Sequence, residues 1–157
     1  MSSALKEVIE LLRLEMLDDS LYRGPSHDIG SNRVFGGQIV GQALAAAQQT
    51  VPDTHSAHSL HAYFLRPGDV RRPVIYQVEV SRDGRSYANR RVVAMQRGRP
   101  ILNLAASFHL PEEGQSHQLS APDVPGPEGL PDTFELHQSV KDKVPENVKN
   151  DIETAIQ

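Results

Sequence analysis

The chain has 157 residues, enough for one domain with a substantial core and too few for two comfortable ones. Hydrophobic residues make up 38% and charged residues 23%, ordinary for a globular protein; the absence of cysteine excludes a disulfide framework, a thiolate nucleophile and a cysteine-ligated metal. The net charge of −4 conceals an asymmetry: residues 61–100 carry nine arginines against Asp69, Glu79 and Asp83, a local +6, while the rest of the chain sums to −10. Overall negative charge, without an aromatic-plus-basic motif, argues against nucleic-acid binding. The first residues are acidic and amphipathic, with no basic segment leading into an apolar one, so no signal peptide is expected. No apolar run approaches the roughly 20 residues that span a bilayer. A cytoplasmic, soluble chain is the expectation.

Residues 3–16 place Leu5, Val8, Ile9, Leu12 and Met16 at helical spacing with Lys6, Glu7, Glu10 and Arg13 opposite, which predicts a short amphipathic helix. A turn-rich stretch from Leu21 to Asn32 follows, with a brief edge strand expected at Asp19–Arg23. After Gly36-Gly37, the run Gln38 to Thr50 has no proline and is rich in alanine, so a second helix is expected, apolar on most sides and therefore buried. Gly37, Gly41 and Ala45 recur every fourth residue, a smooth stripe that would let this helix approach a sheet closely. Four strand-like segments come next, at Ser56–Leu65, Val74–Ser81, Ser86–Gln96 and Ile101–Leu110, with turns at Asp83-Gly84 and Gly98. Alternation puts His58, Leu60, Ala62 and Phe64 on one face of the first. Antiparallel strands after one buried helix give an α+β fold, most simply a helix wrapped by a curved antiparallel sheet. Residues 1–110 thus form the domain. Residues 111–132, with five prolines and three glycines, read as a linker; Thr133–Val140 is expected to form a helical turn or two, and Asn147–Gln157 is helix-compatible. A long linker leading to so little suggests a connection to a second domain.

Several of these segments together resemble a known family. Arg33-Val-Phe-Gly-Gly-Gln-Ile-Val-Gly-Gln-Ala-Leu and His58-Ser-Leu-His-Ala-Tyr-Phe-Leu-Arg-Pro-Gly-Asp are similar to the N-terminal hotdog domain of type II acyl-CoA thioesterases. Arg82-Asp-Gly-Arg-Ser-Tyr, Arg90-Arg-Val, Ala105-Ala-Ser-Phe and Pro127-Glu-Gly-Leu-Pro continue the match in order over nearly the whole chain. The resemblance implies a hotdog fold and hydrolysis of fatty acyl-CoA to free fatty acid and CoA, without metal or organic cofactor. It also implies a tandem protein about twice this length, whose usual catalytic Asp, Thr (or Ser) and Gln lie in the second hotdog. No residue here inherits those roles. A lone hotdog leaves an apolar surface and an open sheet edge, so pairing into a homo-oligomer, or with a second half, is expected. The alternative is a non-catalytic hotdog that serves as a binding or dimerisation module.

Thioester hydrolysis needs a group that orients water and donors for the developing oxyanion. Residues 34–78 contain only two carboxylates, Asp53 and Asp69, and neither lies on the predicted buried helix. Gly36 and Gly37 are candidate substrate-binding residues, because backbone N–H groups at a helix N-terminus polarise a carbonyl; the same glycines would also simply permit tight helix entry. Gln38, one turn before Gln42, is a further candidate for substrate contact or for plain helix-surface pairing. His58 is the candidate catalytic residue, a base or donor, against the alternative of a hydrogen-bonded structural histidine. Arg66, Arg90 and Arg91 are the candidate contacts for the phosphates of CoA, against the alternative of solvated strand faces. Ser86 and Ser107 lack a nucleophile-elbow pattern, and His27-Asp28 has no matching ligand set, so no acyl-enzyme serine and no metal site are expected.

Overall fold

The computed structural model describes residues 2–140, 143 and 145. The chain divides into two compact units, Met1–Glu113 and Gly114–Gln157. The first begins with helix α1 (Ser3–Leu12), whose N-terminus is capped by the Ser2 hydroxyl accepting from the Leu5 amide at 3.3 Å. Two short strands follow, β1 (Glu15–Asp18) and β2 (Leu21–Gly24), then helix α2 (Gly36–Gln48) and four longer strands: β3 (Ser56–Phe64), β4 (Val74–Asp83), β5 (Tyr87–Gln96) and β6 (Arg99–His109).

All six strands form one antiparallel sheet in the order β1-β2-β4-β5-β6-β3, open at β1 and β3. The period-2 alternation places one row on the inner face: Val78 opposes Val92, Val92 opposes Leu104, and Leu104 opposes Ala62. Against this face lies α2, burying Ile39, Gln42, Ala43, Ala46 and Ala47. The core is completed by Tyr22, Val74, Tyr76, Leu102 and Phe108. Small side chains on α2 and β-branched or aromatic ones on the strands are therefore complementary halves of one core. A buried helix covered by an antiparallel sheet is the arrangement that the resemblance implies. The hairpin between β5 and β6 turns on Arg97 (φ 51°) and Gly98 (φ 69°), two consecutive left-handed residues whose twist matches the flanking strands.

Two details depart from the sequence reading. The first helix ends at Leu12, where Arg13 is already extended (φ −79°, ψ 101°), and Met16 belongs to β1, opposite Tyr22. Strand pairing across the Asp19-Ser20 turn prevails over a helical spacing that runs on past Leu12. The Gly37, Gly41 and Ala45 stripe does not face the sheet either. A Cβ on Gly41 would sit 3.2 Å from Leu12 Cδ2, so the stripe admits α1, while Ile39, Ala43, Ala46 and Ala47 meet the strands. Periodicity located a close approach but not its partner.

In the second unit, residues 114–126 have no regular structure and a turn closes with the Leu130 amide on the Pro127 carbonyl (3.0 Å). Helix α3 (Thr133–Val140) follows, as expected from the sequence. Asp132 caps it reciprocally with Glu135: the Glu135 amide donates to Asp132 Oδ1 at 2.7 Å and the Asp132 amide to Glu135 Oε2 at 3.3 Å. The helix-compatible segment 147–157 lies outside the described residues. No helix among the described residues is long and apolar enough to cross a membrane.

Candidate functional site

The N-terminal end of α2 is a helix start without a side-chain cap. Phe35 occupies the cap position in extended conformation, its carbonyl accepting from the Gln38 and Ile39 amides but its side chain capping nothing, and the Gly36 and Gly37 amides donate to no acceptor among the described residues. Unsatisfied N–H groups with the positive end of the helix dipole behind them favour an acceptor or an anion. The glycines allow exposed rings to lie close against the backbone: a Cβ on Gly36 would meet the Phe64 ring at 3.0 Å, and one on Gly37 the Phe35 ring at 2.5 Å, so either would displace a ring.

An apolar groove of about 500 Å³ opens beside this end, between α1, the loop before α2 and α2 itself. Val8, Leu11, Leu12, Ile29 and Phe35 form its walls, and Gly37 and Gln38 lie at its lip. A cleft of about 420 Å³ on the other side is lined by Arg33, Gly36, Phe64, Arg66 and Pro67. The helix start thus stands between an apolar groove and an arginine-bearing cleft.

The polar side chains of α2 hold this region in place. Gln38 Nε2 donates to the Pro25 carbonyl at 2.8 Å, and its Oε1 accepts from the His27 amide at 3.3 Å. Gln42 is wholly buried; its Nε2 donates to the carbonyls of Leu11 (2.7 Å) and Pro25 (3.0 Å), while its Oε1 accepts from the Tyr76 hydroxyl at 2.6 Å. One amide therefore joins α1, the loop and β4 to α2. Burial drives the Tyr76 phenol far above the ordinary tyrosine range, so it remains a donor at all physiological pH. The Gln42 amide lies so close to Gly24 that a Cβ there would sit 2.7 Å from Gln42 Oε1.

The other sequence-predicted residues disperse. His58 is the extra residue of a β-bulge, between Ala57 opposite Phe108 and Ser59 opposite Ser107. Instead of sharing the face of Leu60, Ala62 and Phe64, it joins the outer face, 2.9 Å from Ser107 Oγ and edge-on to the rings of Tyr87 and His109. The whole sheet separates it from Gly36 and Gly37. Arg90, expected to contact phosphate, is buried on the inner face beside the C-terminal end of α2. Its Nε donates to Thr50 Oγ1 (2.7 Å), Nη1 to the carbonyls of Arg82 (3.1 Å) and Asn89 (3.0 Å), and Nη2 to the Thr50 carbonyl (2.7 Å), while Asp83 Oδ1 forms an ion pair with Nη2 at 2.7 Å. Four hydrogen bonds and the Asp83 ion pair hold this buried guanidinium within the fold, where a phosphate would have to displace them. Arg91 points from the opposite face and pairs with Glu79 at 3.3 Å. Arg66 alone of the trio stands near the helix start, its Nη1 held by the Pro100 carbonyl at 2.7 Å.

The sequence reading sets Gln42 beside Gln38 on a helix face, as a substrate or partner contact or a surface pair; instead it is buried and forms an anchor with Tyr76. A further residue that shapes this region went unread. Gln96, also buried, clamps the loop after β3: its Oε1 accepts from the Asp69 amide (2.8 Å) and its Nε2 donates to the carbonyls of Asp69 (3.0 Å) and Arg72 (2.9 Å).

Comparison with known proteins places this geometry. Residues 22–109 match the family model described as the acyl-CoA thioesterase N-terminal domain. The chain is 46% identical over 146 residues to acyl-CoA thioesterase 2 of Haemophilus influenzae, covering 93% of this chain and 51% of that protein. It is 48% identical over 126 residues to human acyl-coenzyme A thioesterase 8, covering 80% of this chain and 40% of that one. It therefore spans about half of the length of the first of these curated relatives and 40% of the second. Among solved structures, the acyl-CoA thioesterase II TesB2 of Mycobacterium marinum superposes with a TM-score of 0.71 at 43% identity, over 82% of this chain and 47% of that one. A hot dog fold protein of unknown function from Alicyclobacillus acidocaldarius superposes with a TM-score of 0.67 at 25% identity, over 83% of this chain and 49% of that one. The fold is a hotdog, and the chain belongs to the acyl-CoA thioesterase N-terminal domain family.

Proposed function

We propose that this chain is the acyl-CoA-binding half of a thioesterase that hydrolyses fatty acyl-CoA to free fatty acid and CoA, with the water-activating residues supplied from outside it. The observation that carries this reading is the uncapped, glycine-led start of α2 at the lip of an apolar groove, with no carboxylate on the helix. The groove has the volume and lining suited to an aliphatic chain, and the Gly36 and Gly37 amides are placed to receive the thioester oxygen. The candidates read from the sequence supply no base at the helix start: His58 faces the far side of the sheet, Asp53 and Asp69 lie beyond α2, and the titratable side chains that line the groove are Glu7 of α1 and His27 of the loop. Cytoplasmic fatty-acid metabolism is the setting this reading implies.

The test is to titrate the purified chain with a medium-chain acyl-CoA and, separately, to follow free thiol release against a heat-inactivated control. Saturable binding without release is expected. Turnover above the control would contradict the missing base, and absence of binding would contradict the reading altogether.

A second reading, a hotdog that acts as a dimerisation module, is favoured by one observation. The edge strand β3 and the residues just after it expose Leu60, Tyr63, Phe64 and Leu65 along an open hydrogen-bonding edge. A second copy or the absent half would cover it. Sedimentation of the chain decides: a self-associating chain that loses association on Tyr63→Lys fits this reading, and a monomer contradicts it.

A further inference from the structure

An uneven charge lies at one corner of the first unit. Five arginines, Arg66, Arg71, Arg72, Arg97 and Arg99, surround a single carboxylate, Asp69, leaving an excess of +4. Asp69 organises them. Its Oδ1 accepts from the Arg71 amide (3.0 Å) and Arg71 Nε (3.1 Å), its Oδ2 from Arg97 Nη2 (3.2 Å), and Arg72 Nε stands 3.7 Å away. The hydrogen bonds from Arg71, with the charges of Arg71 and Arg97, hold the Asp69 carboxyl below its usual range.

The scaffold under the cluster is rigid. Gln96 clamps the loop at Asp69 and Arg72, the left-handed pair Arg97-Gly98 projects Arg97 from the hairpin tip, and Arg66 is fixed on the Pro100 carbonyl. Yet the guanidinium ends are open: the side chains of Arg71 and Arg97 are 84% and 61% exposed. One carboxylate can neutralise one arginine, and the others repel one another across it. Such an arrangement suits a ligand carrying several negative charges in forked geometry.

Position connects this corner to the helix start. The cleft of about 280 Å³ lined by Arg66, Asp69, Arg97 and Arg99 shares Arg66 and Pro67 with the cleft at Gly36. The segment entering α2 is tied to the arginine loop by the Val34 amide, which donates to the Gly68 carbonyl at 3.1 Å. An extended ligand with an acceptor at Gly36 and Gly37 would therefore reach the arginines with its distal end.

We propose that Arg71, Arg97 and Arg99, with Arg66 at the junction, form a diphosphate site that takes the nucleotide end of CoA. This assignment rests on the acyl-CoA reading above and replaces Arg90 and Arg91, which the fold occupies. The shared chemistry is a diphosphate, carried by CoA, by a free nucleotide or by inorganic pyrophosphate.

The test uses the whole chain and measures binding of acyl-CoA, the matching acyl-pantetheine, ADP and pyrophosphate by calorimetry. Three variants are compared: R71Q/R97Q; R99Q, whose side chain makes no ion pair or hydrogen bond among the described residues; and R91Q on the outer face as a control. Acyl-CoA is expected to bind at least tenfold more tightly than acyl-pantetheine. R71Q/R97Q should remove most of that advantage and R99Q about threefold of it, while R91Q and all acyl-pantetheine affinities stay unchanged. Equal affinity for acyl-CoA and acyl-pantetheine, or equal losses in R91Q and R71Q/R97Q, would overturn the site while leaving the acyl-CoA reading in place. Pyrophosphate or ADP binding that depends on Arg71 and Arg97, without any acyl-pantetheine binding, would uphold the site and sink the acyl-CoA reading. Should R71Q/R97Q fail to fold, R99Q decides alone: an unchanged acyl-CoA affinity overturns the proposal.

Discussion

The two ends of α2 handle polar groups in opposite ways. At the C-terminal end, the buried guanidinium of Arg90 makes four hydrogen bonds, two of them to the side chain and carbonyl of Thr50, and an ion pair with Asp83. At the N-terminal end, Gly36 and Gly37 present amides with no acceptor, and two clefts open on either side. A saturated polar cluster is part of the scaffold, because a ligand could only bind there by breaking bonds already made. Open donors beside a cavity are where a ligand gains contacts without that loss. Arg90 is bonded within the fold, and the proposed site lies at the open end of the helix.

The difference can be broken by substitution. Arg90→Met should destabilise the fold by about 3 kcal/mol, since it leaves the Thr50 and Arg82 carbonyls without their donors, and leave acyl-CoA affinity of the folded chain unchanged. A lowered midpoint of urea unfolding with an unaltered slope checks it. Gln42→Leu tests whether saturation rather than location decides. It sits beside the groove yet is fully bonded, so a loss of about 2 kcal/mol is expected from the stranded Tyr76 hydroxyl and Leu11 carbonyl, while the Pro25 carbonyl keeps the Gln38 side-chain amide. Gly37→Ala should behave in the opposite sense. The exposed Phe35 ring can turn aside and alanine favours the helix, so stability holds within about 1 kcal/mol while acyl-CoA affinity falls about tenfold.

A smaller effect appears on raising the pH. Tyr76 keeps its proton in the folded state, whereas the unfolded chain releases it near the ordinary value of 10.0. The contribution is fully present below that pH and is lost as pH rises above it. Unfolding followed from pH 8 to 11 should show a decline that Tyr76→Phe reduces. Smallest of all, His58→Ala should change stability by no more than about 0.5 kcal/mol and acyl-CoA binding not at all, since His58 is exposed on the far face.

Much of the fold is legible in the residues. Alternation in β4, β5 and β6 follows their inner and outer faces, and proline-free alanine richness marks α2. What escapes is whatever depends on a single inserted residue or on long-range partners. The bulge at His58 reverses that side chain's face, and no local pattern announces it because Ala57, His58 and Ser59 alternate acceptably without it. Arg90 and Arg91 look alike in sequence, yet successive strand residues point to opposite faces, so one is buried and bonded while the other is solvated. The glycine-led helix start is the part of the proposed site visible from sequence. The groove beside it requires α1 to pack against Gly41, a contact between distant segments.

The most direct measurement is an amide-resolved NMR titration of the chain with a medium-chain acyl-CoA. Large shifts at the Gly36 and Gly37 amides, with the Arg90 side-chain Nε–H resonance unmoved, are expected. Shifts at Arg90 with Gly36 and Gly37 silent would contradict the assignment of the ligand to the open end of α2.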